Sequence, residues 1–183
     1  NLKESISHLP KLDPRIQEFN LSEQLDYFPD FEIKEEKAAI FSKWHRPPIH
    51  KIRHVEVMRN TPEGKSALFN KDFYPKKQDG SRIKGYKNTY KRQLWNRPAY
   101  TVTTYNGAIC TSDNVHPGRT EKINGKLFYS DARVLSIYEL MIVMSIPANW
   151  DIPSWASDSL IRHSIGEGLP PLILLKLLNK LNF

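Results

Sequence analysis

The distribution of apolar positions divides the chain into three stretches of different character. In residues 1–42 the apolar positions are scattered. Ser5 to Leu9 has the length of a short helical turn before Pro10 and Pro14, and Ala38, Ala39 and Phe41 fit a weak helix over 34–44 that Pro47 and Pro48 stop. Residues 49–130 show no sustained 3.6-residue period. They hold short runs rich in β-formers, at 54–58, 100–105, 108–111 and 127–129, separated by turn signals at 61–64, 78–81, 105–107, 116–118 and 123–125. From Ser136 the period becomes helical. Ser136 and Glu139 have capping-box spacing, and Ile137, Leu140, Met141 and Met144 share one face before Pro147. A last helix starts at Pro170 and Pro171, with Leu174, Leu177, Leu178 and Leu181 on one face that needs a cover, either from this chain or from another body. The pattern predicts an α+β chain, an irregular β region with long loops followed by helices.

Charge sharpens this division. Lys and Arg against Asp and Glu number 5 to 9 in residues 1–42, 15 to 4 in 43–100 and 7 to 7 in 101–183. The excess of +11 is confined to the middle stretch, the footprint expected of a surface that binds a polyanion, although a solvated basic face carries the same signature. Within it, Lys84, Lys87, Lys91, Arg92 and Arg97 alternate with Tyr86, Tyr90 and Trp95 and with the amides Asn88, Gln93 and Asn96. Cations for phosphates, paired donors for base edges and flat rings are the components of nucleic-acid recognition; a basic loop whose aromatics close a small core is the alternative.

Catalytic chemistry is hard to assemble from these residues. The single cysteine, Cys110, follows Ile109 in a predicted strand with no nearby histidine and is expected to be a small buried residue. His45, His50 and His54 lack a carboxylate companion at metal-ligand spacing and are expected to be ordinary surface or phosphate-facing histidines. Neither a dinucleotide fingerprint nor a phosphate loop occurs. Gly166 and Gly168 suggest a loop leading into the last helix. No apolar run reaches the roughly 20 residues of a membrane span, and a cytoplasmic protein is the expectation.

The order of segments resembles the carboxy-terminal part of the C5 cytosine DNA methyltransferases. Arg97-Pro98-Ala99-Tyr100-Thr101-Val102-Thr103-Thr104 is similar to the "kPsxTiTt" strand of that family's target-recognition region. Arg133-Val134-Leu135-Ser136-Ile137-Tyr138-Glu139-Leu140 is similar to "R-x-L-T-x-R-E-x", and Met144-Ser145-Ile146-Pro147 through Trp150 stands where "q-g-f-P-d-x-w" is expected. Ile165-Gly166-Glu167-Gly168-Leu169-Pro170-Pro171 takes the place of "I-G-N-A-V-P-P", and Ser5-Ile6-Ser7-His8-Leu9-Pro10 resembles the upstream "ai-x-d-L-P". The family's glycine-rich cofactor loop, Pro-Cys nucleophile and Glu-Asn-Val segment are all missing from the chain.

The resemblance implies a connecting segment over 1–42, a target-recognition domain over 43–132, and a helical segment over 133–183 that would pack on a missing α/β catalytic domain. It implies a DNA-binding face of Lys91, Arg92, Arg97, Thr101, Thr103, Thr104, Tyr105, Asn106 and Gly107, with double-stranded DNA and the catalytic half as partners. Arg133 and Glu139 would hold the recognition region in shape. Glu167, Gly168 and Leu169 would touch S-adenosylmethionine, bound mainly by the catalytic half; the family's asparagine at position 167 is a carboxylate here, which removes a donor. The implied role is DNA recognition for methylation of a flipped cytosine, in the setting of restriction–modification, by a chain inactive alone. A stand-alone DNA-binding module is the alternative. A metal-dependent nuclease fragment would need a carboxylate pattern that Asp151 and Asp158 do not supply.

Overall fold

The structure, a computed structural model, describes residues 1–77, 79–84, 88–109 and 114–181. It is α+β. The elements are α1 (Leu2–Ile6), β1 (Arg15–Ile16), α2 (Leu21–Tyr27), α3 (Phe31–Phe41), β2 (Ile49–His50), α4 (Ile52–Arg59), a 3-10 turn (Ala67–Phe69), β3 (Thr120–Ile123), β4 (Lys126–Tyr129), α5 (Ile137–Val143), α6 (Asp158–Glu167) and α7 (Pro171–Lys180). β1 and β2 pair in parallel, Arg15 beside Ile49; β3 and β4 form an antiparallel hairpin, Thr120 opposite Tyr129. That hairpin turns on Asn124 and Gly125, both at positive φ (50° and 78°), the conformation an Asn-Gly pair adopts most readily.

Two apolar cores organise the molecule. In the first, Leu2, Ile6, Leu9 and Trp44 meet Leu135, Ile137, Leu140 and Met141 and the α6 residues Ile161 and Ile165. In the second, Ile16, Phe28 and Phe31 meet Val55, Met58, Tyr90, Val115 and Val134. The amino-terminal 44 residues thus supply side chains to both cores. Among the described residues no helix is long and apolar enough to cross a membrane.

Several local expectations hold. Ser136 caps α5 with a reciprocal Ser136–Glu139 box, and α7 starts with Pro171 in its first turn. Others are corrected. The run at 54–58 is helix α4, because Val55 and Met58, three apart, fall on one buried face, and the Val55–Val57 alternation that suggested a strand is incidental. Residues 100–103 join no ladder among the described residues and 104–107 form a turn; the Thr103 carbonyl is taken by Asn106 instead. The helix expected over 34–44 starts earlier and ends earlier, at Phe41. Gly166 lies inside α6, not in a loop, since Ser157 caps a helix that runs to Glu167. Cys110, and with it the run at 108–111, lies partly outside the described residues.

Candidate nucleic-acid interface

Residues 100–107 carry the expected recognition segment, and their burial alternates. Thr101, Thr103, Tyr105 (74%) and Gly107 are exposed, whereas Val102 and Thr104 are half-buried and Asn106 is buried. The backbone doubles back here, with Ala108 N–H donating to the Tyr105 carbonyl at 2.9 Å. Asn106 braces the turn from beneath: its Nδ2 donates to the carbonyls of Thr103 (2.8 Å) and Arg162 (2.7 Å), and its Oδ1 accepts from Arg162 Nη1 (3.3 Å). A side chain with three such bonds holds a loop in one shape. Of the predicted contacts, Asn106 is therefore a bracing residue that faces inward.

α6 supports the same segment through a glycine. A Cβ on Gly166 would lie 2.3 Å from the Thr103 carbonyl oxygen and 2.6 Å from the Thr104 nitrogen, so only glycine lets this segment seat on the helix. Neither Arg162 nor Gly166 was assigned this bracing role from the sequence. The readable signal was Ser157 followed by Ile161 and Ile165, a cap and an i, i+4 apolar pair that together mark α6.

The cations behave differently from one another. Arg97 is exposed, and Lys91 lies with its ammonium 4.8 Å from the Tyr100 ring centre. Similar pairs stud the basic stretch: Lys65 over Phe69, Lys76 and Arg82 over Tyr74. Residues 85–87 of the basic loop lie outside the described residues.

Arg92 is a correction. It is 0% exposed, and its guanidinium donates to the carbonyls of Met58, Thr61, His116, Tyr129 and Asp131, at 2.7–3.2 Å. Gly118, at φ 71°, makes room for it: a Cβ there would stand 2.6 Å from Nη1. Burial lowers its pKa to about 10, which leaves it a cation at neutral pH. With its donors spent on backbone, Arg92 holds loops together and does not reach DNA.

Beside it, Arg133 is clamped. Its Nη1 donates to Glu139 (2.7 Å), its Nη2 to Glu139 (2.9 Å) and to Asp131 (2.9 Å), and its Nε to the Leu12 carbonyl (3.0 Å). Burial opposes every charge in this cluster, yet Arg133 and His116 hold Glu139 at about 2 and keep Asp131 below the ordinary carboxylate range. His116, 3.6 Å from Glu139, is pushed down to about 4 by burial, which outweighs the two carboxylates. The cluster ties Leu12 and Asp131 to α5 through Arg133 and Glu139.

Of the histidines expected at the surface or facing phosphate, His45 and His50 are not at the surface and His54 is half-buried. His45 is buried between Ser136 Oγ (3.0 Å) and the Pro10 carbonyl (3.1 Å), and His50 is buried and accepts from Val134 N–H (3.2 Å). His54 meets the Tyr90 hydroxyl at 3.0 Å. Among the described residues no group of three or more His, Cys, Asp or Glu side chains could hold a metal ion.

At the carboxy-terminal end Glu167, Gly168 and Leu169 are all exposed, and Glu167 is paired with His163 at 3.1 Å, one turn earlier in α6. Three exposed residues make an edge, so a cofactor touching them would need a second surface. α7 follows with no buried residue: Leu172, Ile173, Leu174, Leu175, Leu177 and Leu178 are each 40–57% exposed.

No family model and no solved structure matches the chain. Over 132 residues, 72% of its length, it is 47% identical to the Type II methyltransferase M1.HgaI of Avibacterium volantium, and the match spans only 36% of that protein. The chain is thus a homologue of about a third of a Type II methyltransferase.

Proposed function

We propose that this chain grips duplex DNA for a cytosine-5 methyltransferase whose reacting groups sit on a second body. The observation that carries the reading is the braced turn: Thr101, Thr103 and Tyr105 point outward from a segment held by Asn106, Arg162 and Gly166, beside the stretch that carries 15 cations against 4 anions. Cations seek phosphates and set orientation, and rigid outward groups read base edges. The 47% identity to part of a Type II methyltransferase points to the reaction that such a grip serves.

In this reading the described residues supply hold and register. The methyl group comes from S-adenosylmethionine, and the edge formed by Glu167, Gly168 and Leu169 closes over it from one side. The leucine face of α7 covers the catalytic body, since six apolar side chains in water on one helix form a patch of the kind that marks an interface. A stand-alone DNA-binding module is the competing reading, favoured by the two cores the chain builds for itself.

Mixing separates the two. The chain is combined with the separately expressed remainder of the relative, duplex DNA and isotope-labelled S-adenosylmethionine. Methyl transfer is expected from the mixture and from neither part alone. Transfer by the purified chain, or DNA binding with no transfer from a mixture that associates, overturns the proposal.

A further inference from the structure

Beside the braced turn lies a cleft of about 490 Å³ that none of the roles above uses. Its walls are Pro48, Ile49 and His50 on one side, Thr104, Tyr105, Gly107 and Ala108 on another, and Asp158, Ser159 and Arg162 at the start of α6. The volume falls within the range of roughly 300–1,000 Å³ typical of ligand clefts.

Several of the polar groups lining this space are donors without an acceptor among the described residues. His50 is buried, and its Nε2 accepts from Val134 N–H, which assigns the proton to Nδ1; that N–H has no acceptor among the described residues. Arg162, also buried, commits Nη1 to Asn106 and to the Leu135 carbonyl, while Nε and Nη2 have no acceptor among the described residues. Ser157 caps α6 by accepting from Leu160 N–H, so the amides of Asp158 and Ser159 have no intrahelical acceptor, and the positive end of the helix dipole faces outward. The opposing charge, the Asp158 carboxylate, is neutralised by Arg46 on the rim. Pro48, Ile49 and Ala108 supply apolar wall.

We propose that this cleft seats one backbone phosphate of bound DNA, its oxygens on Arg162, His50 Nδ1 and the first amides of α6, and its deoxyribose against Ile49 and Pro48. Converging N–H donors at a helix start, backed by a fixed cation, are the ordinary means of holding a phosphate. Tyr105 forms the lip of the cleft, so a phosphate seated there fixes the distance between the strand and the reading turn. Arg162 serves both: it braces Asn106 from below and faces the phosphate. The proposal rests on the DNA-binding reading.

The test uses the whole chain and places a carboxylate at the mouth with Ser159→Asp. Aspartate is well tolerated in a first helical turn, so folding is retained and is checked by thermal melting. Binding to a labelled mixed-sequence duplex is measured by fluorescence anisotropy over a potassium chloride series. Ser159→Asp is expected to weaken binding three- to tenfold and to make the slope of log K against log salt shallower by about 0.9, the loss of one phosphate contact. In a second arm, inorganic phosphate and duplex are titrated separately into nitrogen-15-labelled protein, and both are expected to shift the Ser159 amide in the wild type alone.

A wild-type chain that binds no duplex defeats the DNA-binding reading itself. A wild type that binds, beside a variant with equal affinity and slope, defeats only the cleft assignment. Shifts with inorganic phosphate but none with duplex make this a free-oxyanion site and overturn the proposal. Should Ser159→Asp misfold, Ile49→Asp on the opposite wall is read against the same outcomes.

Discussion

Arg92 offers the most direct test of how the basic stretch is used, because a surface contact and an internal clamp respond to substitution in opposite ways. Arg92→Met keeps a long side chain in the space and removes all donors. Of the five carbonyls it serves, Met58 and Asp131 keep a backbone donor, from Thr61 and Arg133, whereas for Thr61 and His116 the guanidinium is the donor among the described residues. Each buried carbonyl left short costs about 1–3 kcal/mol, to which the loss of charge-assisted bonds adds. The offsetting gain is relief from burying a cation, the same burial that lowers the Arg92 pKa to about 10. The net expectation is a loss of about 3–5 kcal/mol. In a chain of this size that lowers Tm by about 6–20 °C. Circular dichroism melting reads the stability, and anisotropy with duplex DNA, at a temperature where both proteins are folded, reads binding. A variant with unchanged Tm and selectively weakened DNA binding would refute the reasoning and return Arg92 to the groove.

Other substitutions probe the remaining elements. Gly166→Ala gains about 1 kcal/mol of helix propensity, but its methyl would meet the Thr103 and Thr104 backbone at 2.3–2.6 Å, and overpacking costs about 1–3 kcal/mol; urea melting is expected to show net destabilisation, and a stabilised variant would disprove the close approach. Leu174→Asp on exposed α7 is expected to leave Tm within about 2 °C, since surface changes stay within about 0.5 kcal/mol, and to abolish methyl transfer with the catalytic part; a large fall in Tm would place that face inside this chain's own core. Stability is expected to fall as pH drops below about 6.5, the ordinary histidine value, because His116 and His50, held at about 4 and about 3 when folded, take up protons more readily unfolded; Glu139, held at about 2, extends the loss below the ordinary carboxyl value of about 4.5. A melting temperature flat from pH 7.5 to pH 4 would refute that window.

What the sequence made legible follows from range. Capping boxes and leucine faces are local, and α5 and α7 were readable to within a residue or two from Ser136, Glu139 and the Pro170-Pro171 pair. The turn at 123–125 and the strand after it were equally local, whereas the partner strand Thr120–Ile123, polar at three of four positions, gave no such signal. α4 was misread because Val55, Val57 and Met58 satisfy both periods, and only their packing against Phe28 and Phe31 decides for the helix. Arg92 was misassigned for a related reason: a cation among aromatics has the same composition whether it faces phosphate or five carbonyls, and those carbonyls come from residues 24–39 positions away. The bracing of the turn by Arg162 spans 56 positions, from Asn106, and no periodicity reports on it.

The Arg133 clamp has a practical bearing on dissection of the molecule. The resemblance implies division at residues 42 and 132, yet Leu12 receives Arg133 through its carbonyl and donates its amide to Asp131, while Glu139 completes the pair from α5. A cut at 42 would take the Leu12 carbonyl from Arg133 and its amide from Asp131, and a cut at 132 would part Asp131 from Arg133 and Glu139. Under the proposed DNA-binding role, exchange of segments between homologues is therefore better confined to the outward-facing residues near Tyr105, with the whole knot carried along as one inheritance.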